Sequence, residues 1–140
     1  MLTKLNHGVY QIEIHFYFVT KCRYKVFRKQ YIKNLLKDVF YSITEKHNKI
    51  KLTTLGIADE HVHGTAMLHP SMSVARFEQL MKGCSAWAMF QLVPNLRKRY
   101  PRGHLWGRNK GVRSVGDTTV DTARDYVLKH NVSQKVLNDF

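Results

Sequence analysis

Two histidines separated by a single residue, His61 and His63, form the first pattern in this sequence that could carry chemistry. They flank Val62 at the start of a predicted strand, residues 62–68, and side chains two apart in a strand point to the same face. Such a pair can supply two neighbouring nitrogen ligands to a divalent ion and leave other positions for a phosphate oxygen. The triplet alone is weak evidence, because it arises often by chance and equally describes two solvated histidines.

A tyrosine and a histidine near the carboxyl end form the second pattern. Tyr126 and His130 lie four residues apart in a predicted final helix, about residues 118–131, and therefore share one of its faces. Valine and alanine residues supply the apolar side of that helix. A nucleophile beside a possible metal ligand is one interpretation, although a lone helix tyrosine is more often a half-buried packing ring.

Positive charge dominates the composition, since 23 lysines and arginines against 10 acidic residues give a net charge of +13. Such a field attracts polyanions, and nucleic acid is the first candidate partner. Two basic stretches could follow a phosphate backbone, and Tyr24 and Phe27 within the first could stack on unpaired bases. A merely solvated basic surface is the alternative. The candidate DNA-binding residues are Lys21, Arg23, Lys25, Arg28, Arg97, Lys98, Arg99 and Arg102.

Length and composition limit the other classes of protein. A chain of 140 residues with 44% hydrophobic residues is sized for one folded domain and is not of disordered composition. We find no run of about 20 apolar residues and no charged-apolar leader, so we expect a soluble, cytoplasmic protein with no membrane partner. Cys22 and Cys84 lack the CxxC spacing of thiolate metal sites, and Cys84 is expected to be buried in a helix.

The elements that must position these residues follow from hydrophobic periodicity. Residues 8–20 alternate between apolar and polar types, which predicts the first strand. Apolar residues then recur every three or four positions, which predicts a helix that ends near Asn48. Residues 50–57 and 62–68 are predicted to be strands that pair as a hairpin around a turn at 59–60.

A second helix is predicted to follow Pro70, with Ser71 or Ser73 as its cap. Gly83 within it costs about 1 kcal/mol of helix propensity, which suggests that a close contact requires a glycine there. The helix is followed by a basic connector, 97–102, a short strand at 112–115, the final helix and a tail at 132–140. The predicted apolar stripe of the second helix is Val74, Phe77, Leu80, Met81, Cys84, Trp87 and Ala88.

The predicted order of strand, helix, strand, strand, helix and strand fits one α+β architecture. It is the ferredoxin-like split βαβ fold, an antiparallel sheet with helices on one face, here followed by a carboxyl-terminal helix that carries the tyrosine. We expect residues 1–140 to form this single domain. The fold alone does not define a function.

These features together resemble the single-tyrosine His-hydrophobe-His (HUH) transposases, which mobilise small insertion sequences as single-stranded DNA and include the REP-associated tyrosine transposase group. The resemblance runs along most of the chain, and the order and spacing of its blocks are more specific than the triplet alone. The matching blocks are HFYFVTKCRYKVF (15–27), DEHVHG (59–64), SVARFEQLMKGCSAWAMF (73–90), LW (105–106), SVG (114–116) and DTARDYVLKH (121–130).

The resemblance implies a metal-dependent enzyme that nicks single-stranded DNA and transfers the strand. His61 and His63 would bind Mg²⁺ or Mn²⁺, and Tyr126 would attack the phosphate to form a 5′-phosphotyrosine bond and a free 3′-OH. This chemistry makes physical sense, because a phenol with a pKa of about 10 is a weak nucleophile and a phosphodiester repels it until a cation neutralises the developing charge. Members of the family act as homodimers and recognise DNA hairpins.

The sequence departs from the family pattern at several positions. His130 stands where the family usually has a glutamine as third ligand, and three nitrogen ligands would shift the preference from Mg²⁺ towards Mn²⁺. Gly64 and Thr65 stand where apolar residues are common, and residues 109–111 replace a more aromatic stretch. Three alternatives stay open: a small HUH replication initiator or relaxase, a domesticated non-catalytic protein that binds hairpin or single-stranded DNA, and a structural metal protein, which lacks a visible four-ligand set.

Overall fold

A computed structural model describes residues 4–5, 8–9, 12–108 and 111–115 of the chain. The predicted final helix, with Tyr126 and His130, and the predicted tail lie outside the described residues. Among the described helices, none is long and apolar enough to cross a membrane.

The described elements confirm each strand and helix predicted within these residues. They add a short helix in the basic connector and a two-stranded ribbon at the amino end, neither of which was predicted. In chain order the elements are β1 (Lys4–Leu5), β2 (Gly8–Val9), β3 (Ile12–Val19), a 3₁₀ turn (Lys21–Arg23), α1 (Gln30–Lys46), β4 (Ile50–Ile57), β5 (His61–Leu68), α2 (Val74–Leu92), α3 (Leu96–Arg99) and β6 (Val112–Val115).

The main sheet has the strand order β4-β5-β3-β6, and every neighbouring pair in it is antiparallel. Strands β3 and β4 run in the same direction but are separated by β5, which is the split βαβ arrangement. The predicted ferredoxin-like α+β fold is therefore confirmed. The β4–β5 hairpin closes where the Ala58 amide donates to the His61 carbonyl oxygen, with a distance of 2.9 Å.

The core lies between one face of the sheet and helices α1 and α2. The alternation in β3 places Phe16 and Phe18 on this face, where both are fully buried against the rings of Phe40 and Phe77. Trp106 closes the same cluster, and its indole Nε1 donates a hydrogen bond of 2.9 Å to Ser85 Oγ on α2. The Leu105-Trp106 block is therefore a structural anchor in this chain.

Helix α2 buries only part of the predicted stripe, since Phe77, Leu80 and Met81 lie in the core and Val74 and Ala88 pack partly buried against it. Ser73 is its N-cap and accepts a hydrogen bond from the Arg76 amide. The fully buried side is Phe77, Leu80, Met81, Ser85, Met89 and Phe90. Cys84 is exposed and Trp87 is 69% exposed, so both predictions of burial were wrong. The bond from Trp106 fixes Ser85 towards the core, which turns the side of the helix with Cys84 and Trp87 outwards.

Two glycines in regular elements have opposite surroundings. A Cβ at Gly64, in the middle of β5, would overlap the backbone carbonyl oxygen of Thr54 and lie 3.0 Å from Phe16 Cζ. A register shift between Leu52 and Thr54 marks an irregularity in the neighbouring strand β4. A Cβ at Gly83 would meet nothing within 4 Å among the described neighbours, so the close contact predicted there is absent.

Gly64→Ala should therefore destabilise the protein while Gly83→Ala should not. We expect a loss of about 1–3 kcal/mol at Gly64, because the methyl group forces β4 away from β5. Gly83→Ala should instead stabilise the protein by up to about 1 kcal/mol through helix propensity. Urea unfolding of the two variants measures both free energies. Equal stabilities of Gly64→Ala and the wild type would contradict the packing described for β5.

Candidate functional site

His61 and His63 begin strand β5 and point away from helices α1 and α2. Their partners across the sheet are Val19 and Tyr17, which form a small cluster separate from the main core. His61 is 1% exposed and His63 is 5% exposed, and their ring centroids lie 5.8 Å apart. Val62 between them is fully buried in the main core. The predicted orientation of the two imidazoles is thus confirmed, but they are buried and not solvated.

Glu60 holds the His61 ring in one orientation. The carboxylate can only accept, so the Nδ1–H of His61 donates to Glu60 Oε1, with a distance of 2.6 Å. Burial lowers the pKa of His61 below its usual value, with a smaller opposing effect from the Glu60 hydrogen bond. The ring is therefore neutral near pH 7 and keeps the lone pair on Nε2.

The other nitrogen of this ring fits a metal ligand. His61 Nε2 is buried and makes no hydrogen bond within the described part of the chain. A buried polar atom without a partner is costly, and a divalent ion would satisfy it. A ligating histidine that donates its second nitrogen to a carboxylate is the usual arrangement around protein-bound metals. Across residues 12–108 and 111–115, no group of three or more acidic, histidine or cysteine side chains could hold an ion.

The same face of the sheet carries further buried polar residues that sequence reasoning assigned no role. Glu13 and Thr65 are fully buried there, and burial lowers the pKa of His15, with the charge of Arg113 acting in the same direction. The Thr65 hydroxyl lies 2.5 Å from that of Thr53 and 2.8 Å from that of Thr54. The polar side of the alternation in the first strand was the signal that could have identified this face.

The two basic stretches lie against each other in the structure. The Tyr100 hydroxyl donates to the Lys21 carbonyl oxygen at 2.8 Å, and the Lys21 amide donates to the Leu105 carbonyl oxygen at 2.8 Å. The Arg99 guanidinium covers the Tyr24 ring at 4.5 Å from its centroid. We call the two stretches together the basic surface; its exposed cations are Lys21, Arg23, Lys25, Arg28, Arg97, Lys98, Arg99 and Arg102.

Two aromatic residues of this region differ in their availability to a ligand. Tyr24 is partly exposed, although Arg99 and Tyr100 already pack on its ring. Phe27 is fully buried and its ring contacts Trp106, so its predicted stacking on DNA bases was wrong.

The basic surface borders the histidine pair. The Thr20 amide donates to the Glu60 carbonyl oxygen and the Phe27 amide donates to the Asp59 carbonyl oxygen, each at 2.9 Å. Arg23 is close enough for its charge to contribute to the lowered pKa of His61. The chain between these contacts is held in a tight turn in which Cys22 and Arg23 have positive φ angles of 60° and 54°. The turn therefore brings the start of the first basic stretch close to the His61 imidazole.

The comparison with known families decides the class of protein. Residues 8–130 match the family model described as "Transposase IS200 like". The chain belongs to this family. It is therefore a DNA transposase. The resemblance noted in the sequence is confirmed.

Individual relatives agree with this assignment. The transposase is 28% identical over 119 residues to the ISDra2 transposase TnpA of Deinococcus radiodurans, covering 85% of this chain and 84% of that protein. It is 23% identical over 135 residues to the transposase of insertion sequence IS200 from Salmonella typhimurium, covering 96% and 86% of the two chains.

Two solved structures have the same fold. A crystal structure from Deinococcus radiodurans R1, described as that of a transposase, superposes with a TM-score of 0.73 at 28% identity and covers 91% of this chain and 96% of that one. A REP-associated tyrosine transposase bound to a REP hairpin superposes with a TM-score of 0.61 at 10% identity, and the match covers 99% of this chain and 79% of that one. The second likeness concerns the fold alone.

Proposed function

We propose that this transposase cuts and rejoins single-stranded DNA at the ends of a mobile element, with His61 and His63 as ligands of Mg²⁺ or Mn²⁺ and Tyr126 as the nucleophile. The observation that carries the proposal is the His61 ring, whose Nδ1 is anchored by Glu60 while the buried Nε2 lacks a partner among the described residues. His130 is proposed as a third ligand, in line with the family resemblance.

In the proposed reaction the Tyr126 oxygen attacks the scissile phosphorus, and the bond from phosphorus to the 3′ oxygen breaks. The tyrosine loses its proton, and the departing strand ends in a 3′-OH. The bound ion would offset the negative charge that develops on the phosphate. Glu60 keeps the His61 ring oriented, and the basic surface positions the strand. Attack of a 3′-OH on the phosphotyrosine then restores a phosphodiester and releases Tyr126.

The proposed substrate is single-stranded DNA that carries hairpins. The basic surface supports a polyanionic substrate, and the fold is shared with a transposase seen bound to a REP hairpin. A homodimer is proposed from the family resemblance.

The decisive experiment is the capture of a covalent adduct. The protein is incubated with labelled single-stranded hairpin oligonucleotides and Mg²⁺ or Mn²⁺, and a denaturing gel shows whether label migrates with the protein. We expect a metal-dependent adduct. Absence of an adduct with either metal for oligonucleotides that the protein binds would contradict the enzymatic function and favour a non-catalytic DNA-binding protein.

Removing charge from the basic surface should weaken DNA binding and reduce its salt dependence. Each phosphate contact to a single strand contributes about 0.7 to the slope of log affinity against log salt. Loss of four contacts should therefore lower that slope by up to about 3. The affinity is measured by fluorescence anisotropy at several salt concentrations. The variant carries alanine at Lys25, Arg28, Lys98 and Arg102.

A control variant removes the same net charge elsewhere. It carries alanine at four exposed lysines. Lys37 and Lys46 lie on α1, and Lys49 and Lys51 lie at the start of β4, which is the end of that strand far from the 59–60 turn. We expect this variant to keep a slope close to that of the wild type. Equal slopes in the two variants would mean that DNA binding depends on the total charge of the protein and not on the basic surface.

A further inference from the structure

A cavity of about 390 Å³ lies between α2 and the loop that follows α3, and neither His61 nor His63 lines it. Its walls are Gly83, Trp87 and Phe90 from the helix, and Arg97 with residues 103–107 from the connector. Lys82 ties the two walls together, since its Nζ donates to the Gly107 carbonyl oxygen at 3.2 Å and to Glu78 at 3.1 Å. The cavity is thus built on two braced elements.

The helix wall has two features that packing among residues 12–108 and 111–115 does not explain. Gly83 weakens α2 in its interior, and apart from its chain neighbours and the backbone of its own helix no described atom lies within 4 Å of the position where its Cβ would be. Trp87, one turn later, is 69% exposed. A glycine beside an exposed indole leaves a flat, open wall, which suits a planar group that stacks on the ring.

The opposite wall carries positive charge. The Arg97 guanidinium lies 5.0 Å from the centroid of the Phe90 ring. Gly103 adopts a φ of +76°, and a Cβ there would come 3.3 Å from Arg97 Nη1, so a larger residue would crowd the guanidinium. None of the residues lining the cavity is acidic. Arg97 also belongs to the basic surface, so a strand bound there can reach the cavity.

We propose that this cavity takes one unpaired nucleobase of the bound DNA strand, stacked on Trp87 across Gly83, with a neighbouring phosphate at Arg97. The proposal rests on the proposed function only in requiring that the protein binds single-stranded DNA. It adds a recognition site for the strand that includes neither His61 nor His63.

The test compares the affinity of the protein for a single-stranded oligonucleotide with that for the same strand annealed to its complement. Stacking of one base is worth about 1–3 kcal/mol, so Trp87→Ala should bind the single strand about tenfold more weakly and the duplex unchanged. Trp87→Phe should retain most of the affinity. The wild type should show quenching of tryptophan fluorescence by the single strand, and Trp87→Phe should lose that quenching.

Gly83→Ala separates binding from stability. It should unfold at a higher temperature than the wild type and yet bind the single strand more weakly, a combination that a purely structural role of Gly83 does not produce. Leu92→Ala is the control, because Leu92 is exposed on α2 and lines an apolar groove against α1 that shares Gly83 and Trp87 with the cavity but does not include Arg97. We expect its affinity to equal that of the wild type.

Three results would overturn the proposal. In the first, Trp87→Ala binds single strand and duplex as the wild type does. In the second, it weakens both equally, which would place Trp87 on the backbone of the DNA. In the third, Leu92→Ala weakens single-strand binding as much as Trp87→Ala, which would place the DNA contact in the apolar groove that Trp87 and Leu92 share. If no covalent adduct forms but the binding results are as expected, the proposed base site is still supported, because these binding measurements need no cleavage.

Discussion

His61→Ala and His63→Ala should each reduce formation of the covalent DNA adduct by more than about 100-fold. Loss of a residue that merely orients a metal ligand costs about 10–100-fold, and loss of the ligand itself should cost more. The affinity for DNA should change little, because the basic surface is intact. The adduct is quantified on a denaturing gel, and metal affinity is measured by calorimetric titration with Mn²⁺.

Graded variants separate a metal site from a packing role. Glu60→Ala should weaken Mn²⁺ binding by about 10–100-fold, and Glu60→Gln, which keeps an oxygen that can accept from His61 Nδ1, should weaken it less. His47→Ala is the matched control, since this histidine is the C-cap of α1 and lies outside the candidate site. His130→Ala tests the proposed third ligand. Full adduct formation by His61→Ala would exclude the metal role of the pair.

Tyr126→Phe should abolish the adduct while leaving DNA and metal binding at wild-type levels. The phenolic oxygen is the atom that forms the bond to phosphorus, and phenylalanine removes that atom alone. The same gel measures the outcome, and anisotropy confirms that the oligonucleotide is still bound.

Tyr17→Phe is the matched control for this substitution. The Tyr17 ring packs edge-on against His61, with the two centroids 5.3 Å apart, so it is a second tyrosine beside the proposed metal site. Because it is buried within the sheet face, we expect Tyr17→Phe to form the adduct normally. An adduct that survives in Tyr126→Phe and disappears in Tyr17→Phe would reassign the nucleophile.

Local patterns in the sequence were sufficient to predict the order of the four strands of the main sheet and the two long helices, and the orientation of the histidine pair. The alternation of side chains in a strand is a property of the backbone, so His61 and His63 must share a face wherever β5 lies. The spacing of apolar residues in α1 and the turn of the β4–β5 hairpin are equally local. Recognition of the family depended on the same kind of information, namely short blocks in a fixed order.

Contacts between distant residues decided the rest. Both basic stretches are visible in the sequence, but their position against each other beside the histidines is visible in the structure alone. The Tyr100 hydroxyl bonds to Lys21 and the Arg99 guanidinium stacks on Tyr24. The rotation of α2, with Ser85 inwards and Trp87 outwards, depends on Trp106, which is 21 residues away along the chain from Ser85. Helical periodicity allows more than one apolar stripe, and tertiary packing selects among them. The side of α2 that exposes Trp87, and with it the cavity, could therefore not be predicted from the sequence. The shared face of His61 and His63 could be, because it depends only on the strand backbone.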